Sequence, residues 1–163
     1  MGGFDKVIII MYGLIAAFFV YRIFKQQSDK KHLEGEVRAF KRPISSIEWI
    51  LFVILIGIGG VNLYQGYQTS NTTSMATAAV MIVLAFVFMV YTNQKLYVAE
   101  NGMLISSGFI TYKELRKWGF DTNLGDLVMA VKKDNTTNRE SVKVKKDDIE
   151  EVNTLIRRYK LGK

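Results

Sequence analysis

Apolar and polar positions fall into three regimes along the chain. Val7 to Phe24 is an apolar run interrupted only by Arg22, and a polar stretch follows as far as Glu48. From Trp49 to Gln94 there is then no Asp, Glu, Lys, Arg or His. Two apolar runs, Trp49–Val61 and Ala78–Tyr91, flank the polar but uncharged segment Gln65–Ser74. As helix, Trp49–Gln94 would be roughly 70 Å long, against a bilayer core of about 30 Å. This length predicts two crossings joined by a turn. Beyond Lys95 the pattern changes to short alternating segments and then to a helical stripe. The predicted fold class is an α+β membrane protein: three transmembrane helices followed by a small antiparallel β-meander with a C-terminal amphipathic helix.

The predicted helices cover about 7–24, 47–67 and 74–94, with a polar loop at 25–46. The first is read as a retained helix. It lacks a basic n-region, no small-x-small cleavage site follows Phe24, and Lys25-Gln-Gln-Ser-Asp-Lys-Lys31 has stop-transfer character. Arg22 is placed to snorkel to the interface. Pro43 precedes the second helix, where its missing N–H matters little, and Ser45 or Ser46 with Glu48 can cap it. Trp49, Tyr64, Tyr67 and Tyr91 suit the interfacial aromatic belts. Gly57, Gly59 and Gly60 in the second helix, and Ala76 and Ala79 at the start of the third, are the candidate helix-packing positions. Small residues allow helices to approach closely, within the chain or against another membrane protein.

Residues 95–163 read as a separate domain, following the predicted membrane region 1–94. Leu96–Glu100 and Met103–Ser106 flank Asn101-Gly102, which predicts a hairpin with a type I′ turn. Phe109–Tyr112 and Leu115–Phe120 are further strands, with Trp118 and Phe120 on one face. Leu127–Val131 is nearly all apolar and is placed centrally. Asp134–Asn138 reads as a loop, and Ser141–Lys145 alternates valines inward with lysines outward. From Lys146 a helix follows, with Asp147 as N-cap and Glu150 three residues on. Ile149, Val152, Leu155, Ile156 and Tyr159 form its apolar stripe, and Gly162 ends it.

Charge then sets the orientation. The chain carries 22 Lys+Arg against 15 Asp+Glu, a formal net charge of +7. Lys25, Lys30, Lys31, Arg38, Lys41 and Arg42 crowd the first loop, whereas the turn at 65–74 is uncharged. The positive-inside rule puts that loop and the C-terminal domain in the cytoplasm and the N-terminus outside a cell membrane. Lys132, Lys133, Lys143, Lys145 and Lys146 are expected close together on neighbouring strands, as a candidate patch for anionic lipid or a partner. A basic residue near an anionic leaflet gains about 1 kcal/mol. Ordinary positive-inside excess on solvated strand edges is the plainer reading of the same lysines. The pattern argues against nucleic acid as a partner, because no RNA- or DNA-binding motif accompanies the basic and aromatic residues.

Little in the sequence points to catalysis. There is no cysteine and one histidine, His32, so neither a Cys-based site nor a His-rich metal site within one chain is expected. Phosphate-binding glycine loops, nucleophile elbows and His-Glu-x-x-His are missing. Gly57-Ile-Gly-Gly60 lies inside an apolar span, and Asp147, Asp148, Glu150 and Glu151 suit a helix start better than a pair of catalytic carboxylates. Asn62 is the one strongly polar side chain well inside a span, and no intramembrane Asp, Glu or Lys lines an ion path. The expectation is a non-enzymatic protein with no cofactor, metal or catalytic residue.

The Asn101-Gly102 hairpin, the Gly108-Phe-Ile-Thr-Tyr-Lys-Glu-Leu115 segment leading to Trp118, and the strand-then-helix ending from Ser141 to Tyr159 carry a resemblance. Residues 95–163 resemble the bacterial pleckstrin-homology-like (PH-like) domains attached to small transmembrane proteins. The whole chain is similar to uncharacterised three-pass membrane proteins of Gram-positive bacteria. The resemblance implies ligand, lipid or protein binding, or a scaffold role, and transfers no functional residue. That fold has seven strands and the sequence offers about six, so either one strand is missed or the barrel is incomplete. Three functions follow as expectations. The first is a membrane adaptor or scaffold that binds a partner protein or anionic lipid. The others are a bacteriocin-immunity or envelope-stress protein, and an accessory subunit of a membrane transporter or enzyme complex. Another membrane protein or a second copy is the expected partner within the bilayer.

Overall fold

A computed structural model describes residues 3–162. Among them are four α-helices and seven β-strands, in an order that interleaves membrane and sheet elements. Helix α1 is Gly3–Asp29, strand β1 is Val37–Phe40, α2 is Ser46–Gln68 and α3 is Thr72–Thr92. Strands β2 (Leu96–Ala99), β3 (Gly102–Ile105), β4 (Gly108–Thr111), β5 (Leu115–Phe120), β6 (Asp126–Lys133) and β7 (Thr136–Lys143) follow. Helix α4 is Ile149–Leu161. Three of the described helices are long and apolar enough to cross a membrane. The chain divides into two compact units, one running up to Ile23 and resuming at Ile44–Thr92, the other made of Phe24–Pro43 and the chain from Asn93 onward.

In the first unit the turn between α2 and α3 sets an antiparallel seam. Phe52 meets Phe86 edge-on at 6.1 Å between ring centroids. Gly59 lies against Ala78 and Ile82, and Gly66 against Ser74 and Met75. Residues 52, 59 and 66 recur every seven positions and so share one helix face. A Cβ on Gly59 would come 2.8 Å from Ile82 Cγ1, and one on Gly66 would come 3.0 Å from the backbone nitrogen of Met75. Here the missing side chains do let the helices approach. Of the five expected packing positions only Gly59 lies in this seam. Gly57, Gly60, Ala76 and Ala79 face outward, while Ala78 and Ala85 are fully buried. In α1, Phe19 rests against Phe88 and Tyr91, with centroids 6.3 and 5.0 Å away.

The caps follow from the residues at the boundaries. Ser45 Oγ accepts from the Ile47 N–H at 3.3 Å and Glu48 Oε2 accepts from the Ser45 N–H at 2.9 Å, a reciprocal cap on α2. Asn71 Oδ1 accepts from the N–H groups of Thr73 and Ser74, which starts α3 immediately after the turn.

The second unit holds the sheets, in the orders β1-β2-β3-β4 and β5-β6-β7, all pairs antiparallel. The polar loop expected at 25–46 is therefore partly regular structure. Helix α1 continues to Asp29, and Val37–Phe40 pairs with Leu96–Ala99 in the register Phe40↔Leu96 and Val37↔Ala99. A cut at Lys95 would separate these partners. Phe40, 6% exposed, joins Leu96, Val98, Met103, Leu115 and Met129 in the core. One helix covers that core: Val152, Leu155 and Ile156 of α4 are buried, with Ile149 and Tyr159 beside them, as the apolar stripe predicts.

Local details depart from the sequence pattern at four points. The β2–β3 hairpin forms, but Val98 pairs with Met103, so its turn is centred on Glu100 and Asn101, and neither has positive φ. Gly102 serves a different purpose: a Cβ there would come 2.4 Å from the Ile110 carbonyl oxygen and 2.7 Å from the Phe109 ring. The two-residue turn with positive φ lies at Asp134 (48°) and Asn135 (65°), where the sequence suggests a longer loop. Strand β7 consequently begins at Thr136. Asp147 sits in a short 3-10 turn, and α4 starts at Ile149 with Asp148 making no side-chain cap. At the other end Gly162 adopts φ 66° and its N–H reaches the Arg158 carbonyl, as its position implies.

Candidate binding surfaces

Strand register decides where the five lysines lie. Lys132 and Lys133 pair with Thr137 and Thr136 beside the Asp134-Asn135 turn, whereas Lys143 pairs with Asp126 at the opposite end of the same hairpin. Lys145 and Lys146 follow Lys143. Seven residue steps of extended chain separate Thr136 from Lys143, roughly 23 Å at the rise of a strand. The structure thus gathers two groups at the two ends of β6–β7 and does not bring the five into one patch. The sequence pattern alone hides this, because the register is fixed by a tight turn inside what reads as a longer loop.

A cleft of about 400 Å³ with mixed polar and apolar lining opens within the second unit, between the end of α1 and the β6–β7 hairpin. Lys25, Asp29 and His32 line one side, and Lys133, Asn138 and Glu140 the other. Sheet pairing puts Glu140 opposite the buried Met129 and Asn138 opposite the buried Val131, yet both line this cleft, so the first half of β7 lacks the apolar alternation of a core strand. Glu114, also in this lining, is engaged locally: its Oε2 accepts from the Thr111 N–H and hydroxyl at 2.9 and 3.0 Å. The cleft carries both signs of charge and so has no marked preference for an anion or a cation. Among the described residues no cluster of three or more His, Asp or Glu side chains could hold a metal ion.

Lys160 and Tyr159 also fasten α4 to the rest of the domain. The Lys160 ammonium donates to the carbonyl of Tyr112 at 2.9 Å and to that of Leu115. The Tyr112 hydroxyl donates to the Ala99 carbonyl at 2.7 Å, and its ring lies 6.2 Å from that of Tyr159. Burial pushes the Tyr112 phenol well above its ordinary range, and the neighbouring Tyr159 adds to the rise.

On the other side of α4 a groove of about 460 Å³ runs along β5. Trp118 and Phe120 contribute its apolar surface, Asn153 and Arg157 of α4 its far wall, and Arg116 and Lys117 its rim. The indole N–H of Trp118 donates to Asn153 Oδ1 at 3.1 Å, which fixes the ring. Alternation is enough to put Trp118 and Phe120 on one face, but the groove itself depends on where α4 docks.

Spans and sheets together define the class: an α+β membrane protein whose second unit is an antiparallel two-sheet domain with one covering helix. Residues 94–161 match the model of a family described as "Domain of unknown function (DUF5673)". The match includes β2 to β7 and α4 and leaves out β1. Neither the curated proteins nor the solved structures yield a match.

Proposed function

We propose that this protein is a non-enzymatic membrane adaptor that holds a PH-like domain at the inner leaflet, where the domain binds a partner protein. The observation that carries this reading is the interleaving of the chain. The sheet domain draws on two separate segments, so the chain passes between the two units three times. The links are short: residues 93–95 join α3 to β2, and residues 41–45 join β1 to α2. A linker of so few residues spans at most about 3.5 Å per residue, so the domain has little freedom to leave the membrane surface. The PH-like reading is supported by seven described strands divided four and three, closed by a C-terminal helix. The missing seventh strand of the sequence count has a source in β1. The cytoplasmic orientation draws support from the basic residues of both segments of this domain.

A partner protein is preferred to anionic lipid because the register divides the lysines into two groups instead of one face. The test is purification of the full chain from native membrane in mild detergent after crosslinking. A protein recovered in stoichiometric amount is expected; recovery of uncrosslinked monomer alone would sink the adaptor reading. A second reading, an accessory subunit within a larger membrane complex, rests on Gly57, Gly60, Ala76 and Ala79, which lie exposed on the α2–α3 pair. Bulky substitutions at Gly57 and Gly60 that leave every crosslink unchanged would remove it.

A further inference from the structure

We propose that the cleft between the end of α1 and the β6–β7 hairpin binds a small zwitterion: a primary ammonium joined by a short chain to a phosphate or carboxylate, with the ammonium innermost. This goes beyond the adaptor reading, which asks nothing of the cleft, so either can fail without the other.

Each wall carries one charge of each sign, Lys25 and Asp29 on α1 and Lys133 and Glu140 on the hairpin. Lys25 and Asp29 stand four residues apart on one helix, a spacing at which opposite charges can pair. Yet among the described residues none of these four side chains makes an ion pair or a hydrogen bond. Burial gives the cleft a polarity. Asp29 and Glu140 are half-buried, whereas Lys25 and Lys133 are exposed, so the carboxylates are the more deeply seated and the lysines form the rim. A half-buried carboxylate without a partner is unfavourable, and an ammonium placed between two of them offsets that loss. Glu114 is not available for this, because its carboxylate is held by Thr111.

The strand pattern shows that these polar positions displace core. Directly paired residues of an antiparallel sheet point to one face. Val142, opposite the buried Leu127, still packs on the core, and the apolar pattern breaks at Glu140 and Asn138. Those are the two β7 residues that line the cleft. Gly108 keeps the third side open: its φ is 135°, and a Cβ built on it would have Asp29 Oδ2 as its neighbour at 3.4 Å. A side chain there would stand over the carboxylate.

The volume of about 400 Å³ suits a small ligand. A simple anion would meet Asp29 and Glu140, and a simple cation would have to pass Lys25 and Lys133. A ligand with both charges answers both. A quaternary ammonium has no N–H to donate and needs an aromatic cage, for which the lining offers only Phe109 and the His32 ring. Lys25, Asp29 and His32 lie outside the matched residues 94–161, so the site is built jointly by the end of α1 and the sheet domain. Lys25 directly follows the apolar run ending at Phe24. The same chemistry could therefore arrive as a free compound or as a phosphoethanolamine headgroup.

The test uses the full chain in phosphatidylcholine nanodiscs, titrated with O-phosphoethanolamine. Ethanolamine, inorganic phosphate and phosphocholine are the controls, and a separate arm adds phosphatidylethanolamine to the nanodiscs with no free compound. Binding is read by calorimetry and by amide exchange in peptides covering 25–32 and 133–140. O-phosphoethanolamine should bind and slow exchange in both peptides, and each control should bind at least about tenfold more weakly. Protection by the free compound alone identifies a soluble ligand; protection by phosphatidylethanolamine alone identifies a headgroup; both support the site. Asp29→Asn and Glu140→Gln, on opposite walls, should each weaken binding about tenfold, with exchange in β2 and β3 unchanged as evidence of an intact fold. The inference is overturned if neither ~10 mM O-phosphoethanolamine nor phosphatidylethanolamine protects these peptides. Equal binding of phosphocholine, ethanolamine or phosphate, or unchanged affinity in both variants, overturns it as well.

Discussion

Replacing Phe40 by Ala tests whether the strand supplied from between α1 and α2 is part of the sheet domain. Phe40 is 6% exposed and lies opposite Leu96 in the register. Truncating a buried Phe to Ala costs about 3–5 kcal/mol, depending on how far the site collapses. β1 is an edge strand of four residues, so its outer side can relax, and the lower figure of about 3 kcal/mol applies. At about 1.4 kcal/mol per factor of ten, local opening of β1 becomes about a hundredfold more frequent. Hydrogen exchange of the full chain in nanodiscs, followed in peptides covering 37–40 and 96–99, reads that opening directly. Val37→Ala is the control: Val37 is 41% exposed at the other end of the strand, and its truncation should change exchange by less than about tenfold. Acceleration below about tenfold in Phe40→Ala, or equal acceleration in the two variants, would refute the argument that β1 is held through Phe40. By the same reasoning residues 94–163 alone lack β1, and that fragment should be less stable than the domain within the full chain.

Gly102→Ala should destabilise the sheet domain by about 1–3 kcal/mol, since the new methyl would collide with the Ile110 carbonyl, and a lowered denaturation midpoint of the β3–β4 peptides in exchange would record it. The raised Tyr112 phenol makes stability depend on alkaline pH. Below about pH 10 both folded and unfolded states keep the proton. Above that the unfolded state releases it first, so stability falls as pH rises toward the folded value. Tyr112→Phe should flatten this alkaline loss while lowering stability at neutral pH by about 1 kcal/mol for the lost hydrogen bond; an unchanged alkaline slope would argue against the assignment. With no native cysteine, single substitutions report orientation. Thr72→Cys in intact cells should react with an impermeant maleimide, and Thr137→Cys only after lysis; the reverse pattern would invert the orientation.

Most of the elements are legible in the sequence because each carries its own signal. Three spans follow from apolar length, and the α4 stripe from its helical period. β5 and β6 follow from alternation and from the apolar run at Leu127–Val131. β1 carries no such signal. Val37, Arg38 and Ala39 are exposed and only Phe40 is buried, so the strand has no alternation to read. Its pairing partner lies two membrane spans further on. β7 starts earlier than its valines suggest, because Asn138 and Glu140 line a cleft of mixed character and are not packed in the core. Asn101-Gly102 has the composition of a turn with two positive φ angles. The register shows instead that Asn101 uses its side chain, donating to the His32 carbonyl and accepting from the Glu34 N–H, while Gly102 makes room for Ile110. Of the candidate surfaces, the lysines are nameable from sequence but their grouping is not, since it depends on the hairpin register. The β5 groove depends on the docking of α4, which only the folded domain displays.

The pairing of β1 with β2 also imposes a condition on how the protein is made. When β1 leaves the ribosome its partner has not been synthesised, and both α2 and α3 are made before Leu96 appears. An even number of crossings returns the chain to the side where β1 waits. A nascent chain that inserts only one of the two helices strands β1 and β2 on opposite sides, and Phe40 never meets Leu96. Closure of the first sheet is therefore a parity check on membrane insertion: a completed domain is compatible with both helices crossing or neither, and insertion of only one leaves unpaired strand edges.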